Sequence, residues 1–418
     1  MSLAWISVAA LVLAVVLSCT TTINVGVVSL TLALLVGVYL GGMTPDAVLA
    51  GFPVSLFVTL LGVTLLFSIA ESNGTLARLT ARAVRLCRGH AGVLPIMFFV
   101  IGLIVATIGA GATPASALLA PPAMAVAARA GIPPLLMAIM AGHGVLAGTL
   151  SPFAPNGIVA NGVMARIGLG GVEWQTYAYN VLAHTIAGFG GFFLLGGWRL
   201  FDRAEGASAK IAAAEPAIGP METRHWLTTT GIVALIAAVA AFSMNVGMVA
   251  IIIATFLILL RTVDEQKAIK GMPWGVILMV TGVTVLIALL EKTEGLGLFA
   301  SGIANVSTPA TIAPIVAFGT GVVSVYSSTG GVVLPAFLPM VPDLAHRMGG
   351  IQPLPIAWAM SVGASLVDLS SLSTVGALFM AGAAAGTDTR RLFNSLLAWG
   401  LSMSVVAAAL CWLLFGFR

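Results

Sequence analysis

Of the chain's 418 residues 59% are hydrophobic and only 8% are charged, against roughly 25% charged in an ordinary soluble domain. That composition excludes a water-soluble globule. The net charge of +4 does not mark a nucleic-acid partner either, because the basic residues stand singly between apolar runs, as membrane topology requires.

Apolar runs recur from Leu3 to Phe417, each near the length a helix needs to cross a bilayer. They do not alternate polar and apolar residues as porin strands do. The first run, Leu3 to Leu17, has no Lys or Arg before it. It therefore lacks the basic region of a signal peptide and reads as a membrane helix. Helices follow at 23–41 and 54–70, then a polar arm at 75–90 in which Arg78, Arg82 and Arg85 fall at helical spacing. Such an arm is expected to lie flat on the membrane surface. An interrupted segment at 92–130 holds two apolar halves around the tip GAGATPAS from Gly109. A long helix at 134–166 is broken at SPFAPNG, and a last helix covers 178–199. The stretch 200–225 mixes Ala, Pro and both charge signs and reads as a linker. The three cysteines, Cys19, Cys87 and Cys411, are scattered without metal-ligand spacing and read as apolar filler.

The chain then reads a second time. INVGVVSLTLALL from Ile23 returns as MNVGMVAIIIATF from Met244, and GVTLLFSIAE from Gly62 as GVTVLIALLE from Gly282, at a constant offset of 220 or 221 residues. Copy two gives helices at 226–242, 246–261 and 274–290, an arm at 296–306, an interrupted segment at 309–347 with the tip YSSTGG, a broken helix at 354–385 and a last helix at 391–416. A straight helix through either tip would strand backbone groups in lipid, so each interrupted segment is expected to be a re-entrant hairpin. Five spanning helices plus one hairpin make an odd number of crossings, and the second copy is then inverted. With the N-terminus outside, fourteen Lys and Arg fall on the cytoplasmic side and four, Arg166, Lys292, Arg347 and Arg418, outside. This bias sets the expected orientation, a multi-pass bacterial inner-membrane protein with both termini extracytoplasmic.

Inverted repeats with discontinuous helices place a site near the midplane, where half-helices end. Helix N-termini at the two tips and two breaks present free N–H groups and can hold an anion without a buried Arg. The substrate-binding candidates are Thr113, Pro114 and Ser116 in the first hairpin, with Pro155, Asn156 and Gly157 at the first break. Ser328, Thr329 and Gly330 follow in the second hairpin, and Ser373 and Thr374 at the second break. Gly111, Ala112, Ser151, Ser327, Asp368 and Ser370 are the candidate sodium ligands, hydroxyls and carbonyls being suited to hard cations. The same small residues also allow close helix packing. Asp368 is the acidic residue expected deepest in a helix, where an unpaired carboxylate costs about 2.5–3.5 kcal/mol. It is the leading coupling candidate, as cation ligand or proton acceptor, with a structural cap at the break as the alternative. His143 is a second coupling candidate because it can titrate near neutral pH, although a lone intramembrane His is more often a hydrogen-bonded packing residue.

Three strings, GFPVSLFVTLLGVTLLFSIAESNGTL from Gly51, LLAPPAMAVAARAGIPPLLMAIM from Leu118 and LSPFAPNGIVANGVMARIGL from Leu150, resemble the MatC-type malonate/dicarboxylate carriers. Those carriers fall in the ion-transporter superfamily that also holds the divalent-anion/sodium symporters. The resemblance implies a homodimer, an elevator mechanism, and uptake of a dicarboxylate such as malonate or a C4 acid by symport with sodium or protons. It also implies a scaffold at 1–91 and 226–308 and a mobile transport domain at 92–199 and 309–418. The tips depart from the symporters' Ser-Asn-Thr signature, with Ala112, Thr113 and Pro114 in one and Ser327, Ser328 and Thr329 in the other, so sodium and protons both stay open. No cofactor is expected beyond a coupling Na+. The partners are a small organic anion, the lipid bilayer and a second copy of the chain, with no nucleic acid. An alternative is the membrane subunit of a binding-protein-dependent organic acid system. An enzyme is not expected, since no catalytic constellation is present.

Overall fold

A computed structural model describes residues 2–21, 23–85, 91–201, 219–242, 244–383 and 386–416. The end of the first arm, 86–90, and most of the linker, including Lys210, lie outside the described residues, as does Arg418. Every regular element among the described residues is helical. The first copy gives α1 (Leu3–Thr20), α2 (Val25–Leu34, running on through a wide turn at Leu35–Leu40), α3 (Pro45–Leu49), α4 (Val54–Ser72) and α5 (Thr75–Arg85). Next come α6 (Val93–Val105), α7 (Ala112–Ala130), α8 (Pro134–Gly148), α9 (Pro155–Arg166) and α10 (Glu173–Leu194). The second copy gives α11 (Thr223–Phe242), α12 (Val246–Leu259), α13 (Glu265–Gly271), α14 (Trp274–Lys292) and α15 (Gly295–Asn305). It ends with α16 (Ile312–Tyr326), the irregular α17 (Thr329–Arg347), α18 (Pro353–Leu366), α19 (Thr374–Ala381) and α20 (Thr389–Phe415).

Local chemistry explains the helix starts. Asn24 and Asn245 occupy matched places in the two copies, and their side-chain oxygens accept from Gly26 N and Met248 N. Each satisfies one of the free donors at a helix start. The short helices α3 and α13 were not anticipated from the sequence; Thr44 and Asp264 cap them through Ala47 N and Lys267 N. Four described helices are long and apolar enough to cross a membrane, Val54–Ser72, Val93–Ala110, Trp274–Lys292 and Thr389–Phe415. Several shorter apolar helices accompany them. The chain is a multi-pass, all-helical membrane protein.

Glycines set how the copies meet. A Cβ at Gly282 would lie 2.0 Å from Gly26 O, and one at Gly62 would lie 2.5 Å from Gly247 O. Gly26 corresponds to Gly247 in the repeat, and Gly62 to Gly282. The α2–α14 and α4–α12 crossings are thus the same backbone contact made twice, each between one copy and the other. Small residues allow this approach where lipid gives helices no hydrophobic reason to associate. The same device joins each interrupted segment to its broken helix. A Cβ at Gly144 would meet Phe99 O at 2.2 Å, and one at Gly363 would meet Ala317 O at 2.3 Å.

Candidate substrate site

Both interrupted segments turn sharply at the expected tips. In the first, Gly109 (φ 117°) and Gly111 (φ 77°) hold conformations open to residues without a Cβ, and α6 and α7 contact each other on either side of the kink. In the second, α16 and α17 meet at 120° across Ser327 and Ser328. Ser328 Oγ caps the new helix by accepting from Gly331 N at 3.0 Å.

The two broken helices are opened by one construction. At the first break a Cβ on Gly157 would lie 1.9 Å from Ser151 O, and at the second a Cβ on Gly376 would lie 2.0 Å from Ser370 O. In each case glycine lets the chain fold back over a serine carbonyl. Ser151 Oγ donates to Thr107 O at 2.6 Å and accepts from Phe153 N at 3.2 Å. Ser373 Oγ caps α19 through Gly376 N at 3.1 Å and donates to Asp368 O and Ser370 O. These serines hold the backbone open at the break.

Tips and breaks converge on one cavity of about 630 Å³, within the size range of small-ligand sites. Gly111, Ala112, Thr113 and Pro114 line it from the first tip, and Pro155 and Asn156 from the first break. Ser327, Ser328, Thr329 and Gly330 come from the second tip, and Asp368, Ser373 and Thr374 from the second break. Five expected residues sit elsewhere. Ser116 is buried with its hydroxyl unpartnered. Gly157, Ser151 and Ser370 shape the breaks behind the lining. His143 is absent from the lining altogether.

The opposite wall was missed by the sequence reading. It comes from α4 through Thr64, Phe67, Ser68 and Glu71, and from Gly271, Pro273, Val276 and Met279 around the start of α14. The α4 and α14 residues lie in ordinary apolar helices without a break, and Gly271 and Pro273 lie at the junction before α14. The recurrence of Glu71 as Glu291 at one offset marked the repeat and gave no hint of a cavity.

Asp368 sits where the second tip meets the second break. Both its carboxylate oxygens lie 2.8 Å from Thr329 Oγ1, and Oδ1 lies 3.4 Å from Ser324 Oγ. Thr329 Oγ1 is also 3.1 Å from Ala364 O, so its single proton serves several acceptors. The nearby Ser327 Oγ is buried without a partner. Asn156 lies against Gly330, where a Cβ would stand 2.2 Å from Oδ1, so the first break touches the second tip.

His143 belongs to a different construction. Its Nδ1 lies 2.9 Å from His184 Nδ1, His184 Nε2 lies 3.0 Å from Ser365 Oγ, and Trp399 Nε1 donates to His143 Nε2 at 2.9 Å. An indole N–H only donates. His143 Nε2 therefore accepts, its proton is on Nδ1, and His184 accepts at Nδ1 while donating from Nε2 to Ser365. The chain joins α8 and α10 of one copy to α18 and α20 of the other.

A second cavity, of about 930 Å³, is lined by residues that include Pro53, Thr59, Asn161, Arg166, Trp174 and Ala288. Its contacts on α4 and α9 lie at the ends opposite to those that line the first cavity.

Residues 1–149 match the family described as the dicarboxylate carrier protein MatC N-terminus. Over that stretch the chain is MatC-like. The matched part supplies α1 to α8, including the whole first interrupted segment and its tip. Over nearly the full length the fold is similar to the crystal structure of the Alcanivorax borkumensis YdaH transporter. The TM-score is 0.59 at 16% identity, covering 91% of this chain and 89% of that one. No curated protein matches the sequence. The sequence likeness thus covers the first third of the chain, and the likeness in fold covers nearly all of it.

Proposed function

We propose that the chain is a secondary active transporter that moves a small organic anion, a dicarboxylate such as malonate or a C4 acid, by symport with sodium or protons. One observation carries the proposal. Two tips and two breaks, distant in sequence, meet in a single cavity beside a carboxylate that has only neutral hydroxyl partners among the described residues. Anion-binding helix ends next to an under-satisfied carboxylate suit a site that takes an anion and a compensating cation or proton together.

The repeated glycine crossings support two inverted repeats, in which the interrupted segments are re-entrant hairpins and both termini are extracytoplasmic. α4, α12 and α14, with the helices before them and the arms, form the scaffold. The hairpins, the broken helices, α10 and α20 form the moving part. The two cavities, at opposite ends of α4 and α9, are in keeping with an elevator-type exchange of access, with the candidate site opening toward the cytoplasm. The working unit is a homodimer in a bacterial inner membrane, and no enzymatic step is involved.

Purified protein in proteoliposomes, offered a panel of labelled mono- and dicarboxylates with imposed sodium or proton gradients, tests the reading. Concentrative uptake of at least one dicarboxylate under one of the gradients is expected. Absence of uptake for every acid and both gradients would overturn it.

A further inference from the structure

We infer that the cavity takes its cargo as a monoanion, either a monocarboxylate or a dicarboxylate with one carboxyl group still protonated. This rests on the transporter reading above and narrows it.

The argument begins with the charges around the cavity. Among the described residues that line it, Asp368 and Glu71 are acidic and none is Lys, Arg or His. The positive side consists of the N-termini of α7, α9 and α19, helices of 19, 12 and 8 residues, and of the irregular α17, whose Gly331 N is already taken by Ser328 Oγ. Each contributes roughly half a charge. Several of their donors are already absent or engaged. Pro114 and Pro155 have no N–H, and Gly376 N is taken by Ser373 Oγ. The two carboxylates therefore outweigh the helix ends before any cargo arrives. A bound cation or proton first balances Asp368 and Glu71. A second negative charge on the cargo would face what remains across a cavity walled by protein, where charges interact more strongly than in bulk.

A protonated carboxyl group fits the same surroundings without that conflict. It needs an acceptor for one O–H, and the second tip and break offer two. The Ser327 Oγ is buried and unpartnered, and the Asp368 carboxylate receives only the shared Thr329 proton and a long contact from Ser324. The ionised end of the cargo then faces the first tip, where Thr113 supplies a hydroxyl and α7 its first N–H groups. The cavity has a donor side and an acceptor side, which suits a half-protonated diacid better than a dianion.

The test measures uptake KM in proteoliposomes at fixed sodium, with pH stepped across the second ionisation of the acid. The probes are malonate and succinate, their monoamides malonamate and succinamate, which remain monoanions of nearly the same size, and methanedisulfonate as a permanent dianion. The expected result is a KM for total dicarboxylate that rises about tenfold per pH unit above the second ionisation. Over the same range the monoamides keep a constant KM and the disulfonate does not compete. A dicarboxylate KM that stays flat, or a disulfonate that competes as well as malonate, would overturn the inference. So would a parallel loss of affinity for the monoamides, because it would place the titration on the protein. Failure of the wild-type protein to take up any of the four carboxylates would overturn the transporter reading itself, and the inference with it.

Discussion

At the scale of single residues, Asp368 is half-buried and His143 fully buried, and the two polar groups have opposite surroundings. Asp368 borders the cavity, and its carboxylate relies on Thr329 and Ser324 hydroxyls. Asp368→Asn keeps the shape and most hydrogen-bonding capacity while removing the charge. It should fold and reach the membrane yet lose most gradient-driven uptake, retaining some exchange of internal for external substrate. Normal concentrative uptake by this variant under both sodium and proton gradients would assign Asp368 to capping alone. His143 has each ring nitrogen engaged in a directional chain that starts at a donor-only indole. An added proton would set two N–H groups against each other, at His143 Nε2 or between the two Nδ1 atoms. Trp399→Phe should therefore act on stability, lowering the unfolding temperature by the equivalent of about 1–3 kcal/mol. The pH profile of uptake per folded molecule should stay as in the wild type, and a displaced profile would return His143 to a coupling role.

At the scale of elements, the two breaks depend on glycines whose absent Cβ leaves room for a serine carbonyl. Gly157→Ala and Gly376→Ala should each cost about 1–3 kcal/mol through overpacking, since the obstructing atom is backbone and cannot swing aside. The check is thermal unfolding in detergent, with Gly302→Ala, where a Cβ would meet nothing within 4 Å, as the neutral control. Much of this was legible in the sequence. SPFAPNG and SSLST announced breaks through Ser, Pro and Gly, and the tips announced themselves by hydroxyls and glycines between apolar halves. The serine roles were not legible, because a hydroxyl that faces a cavity and one that holds backbone, as at Ser151 and Ser370, look alike in sequence. The wall from α4 and α14 was hidden for a related reason. Phe67, Val276 and Met279 are ordinary residues of an apolar helix, and only their position opposite the tips gives them a part in the site. Nor did any sequence signal separate His143 from a titrating group, because its partners His184, Ser365 and Trp399 lie on three other helices.

At the scale of the whole molecule, the charge distribution predicts that residue 209 is cytoplasmic and that both termini are outside. In a variant with Cys19, Cys87 and Cys411 replaced, a cysteine at Ala209 should react with an impermeant thiol reagent only after the cells are opened. Reaction in intact cells would reverse the topology. The glycine crossings carry a consequence for biogenesis. The groove of α2 at Gly26 is filled by α14, and the surface of α4 at Gly62 by α12, so the contact surfaces of the first copy stay vacant until the ribosome has passed residue 282. The first half must wait in the bilayer unassembled, held by its helices alone, and a chain that stops at the linker presents bare glycine seams to the quality-control proteases. Cut between residues 209 and 210, each half expressed alone should be degraded. Made in the same cell, the two should protect one another and restore uptake.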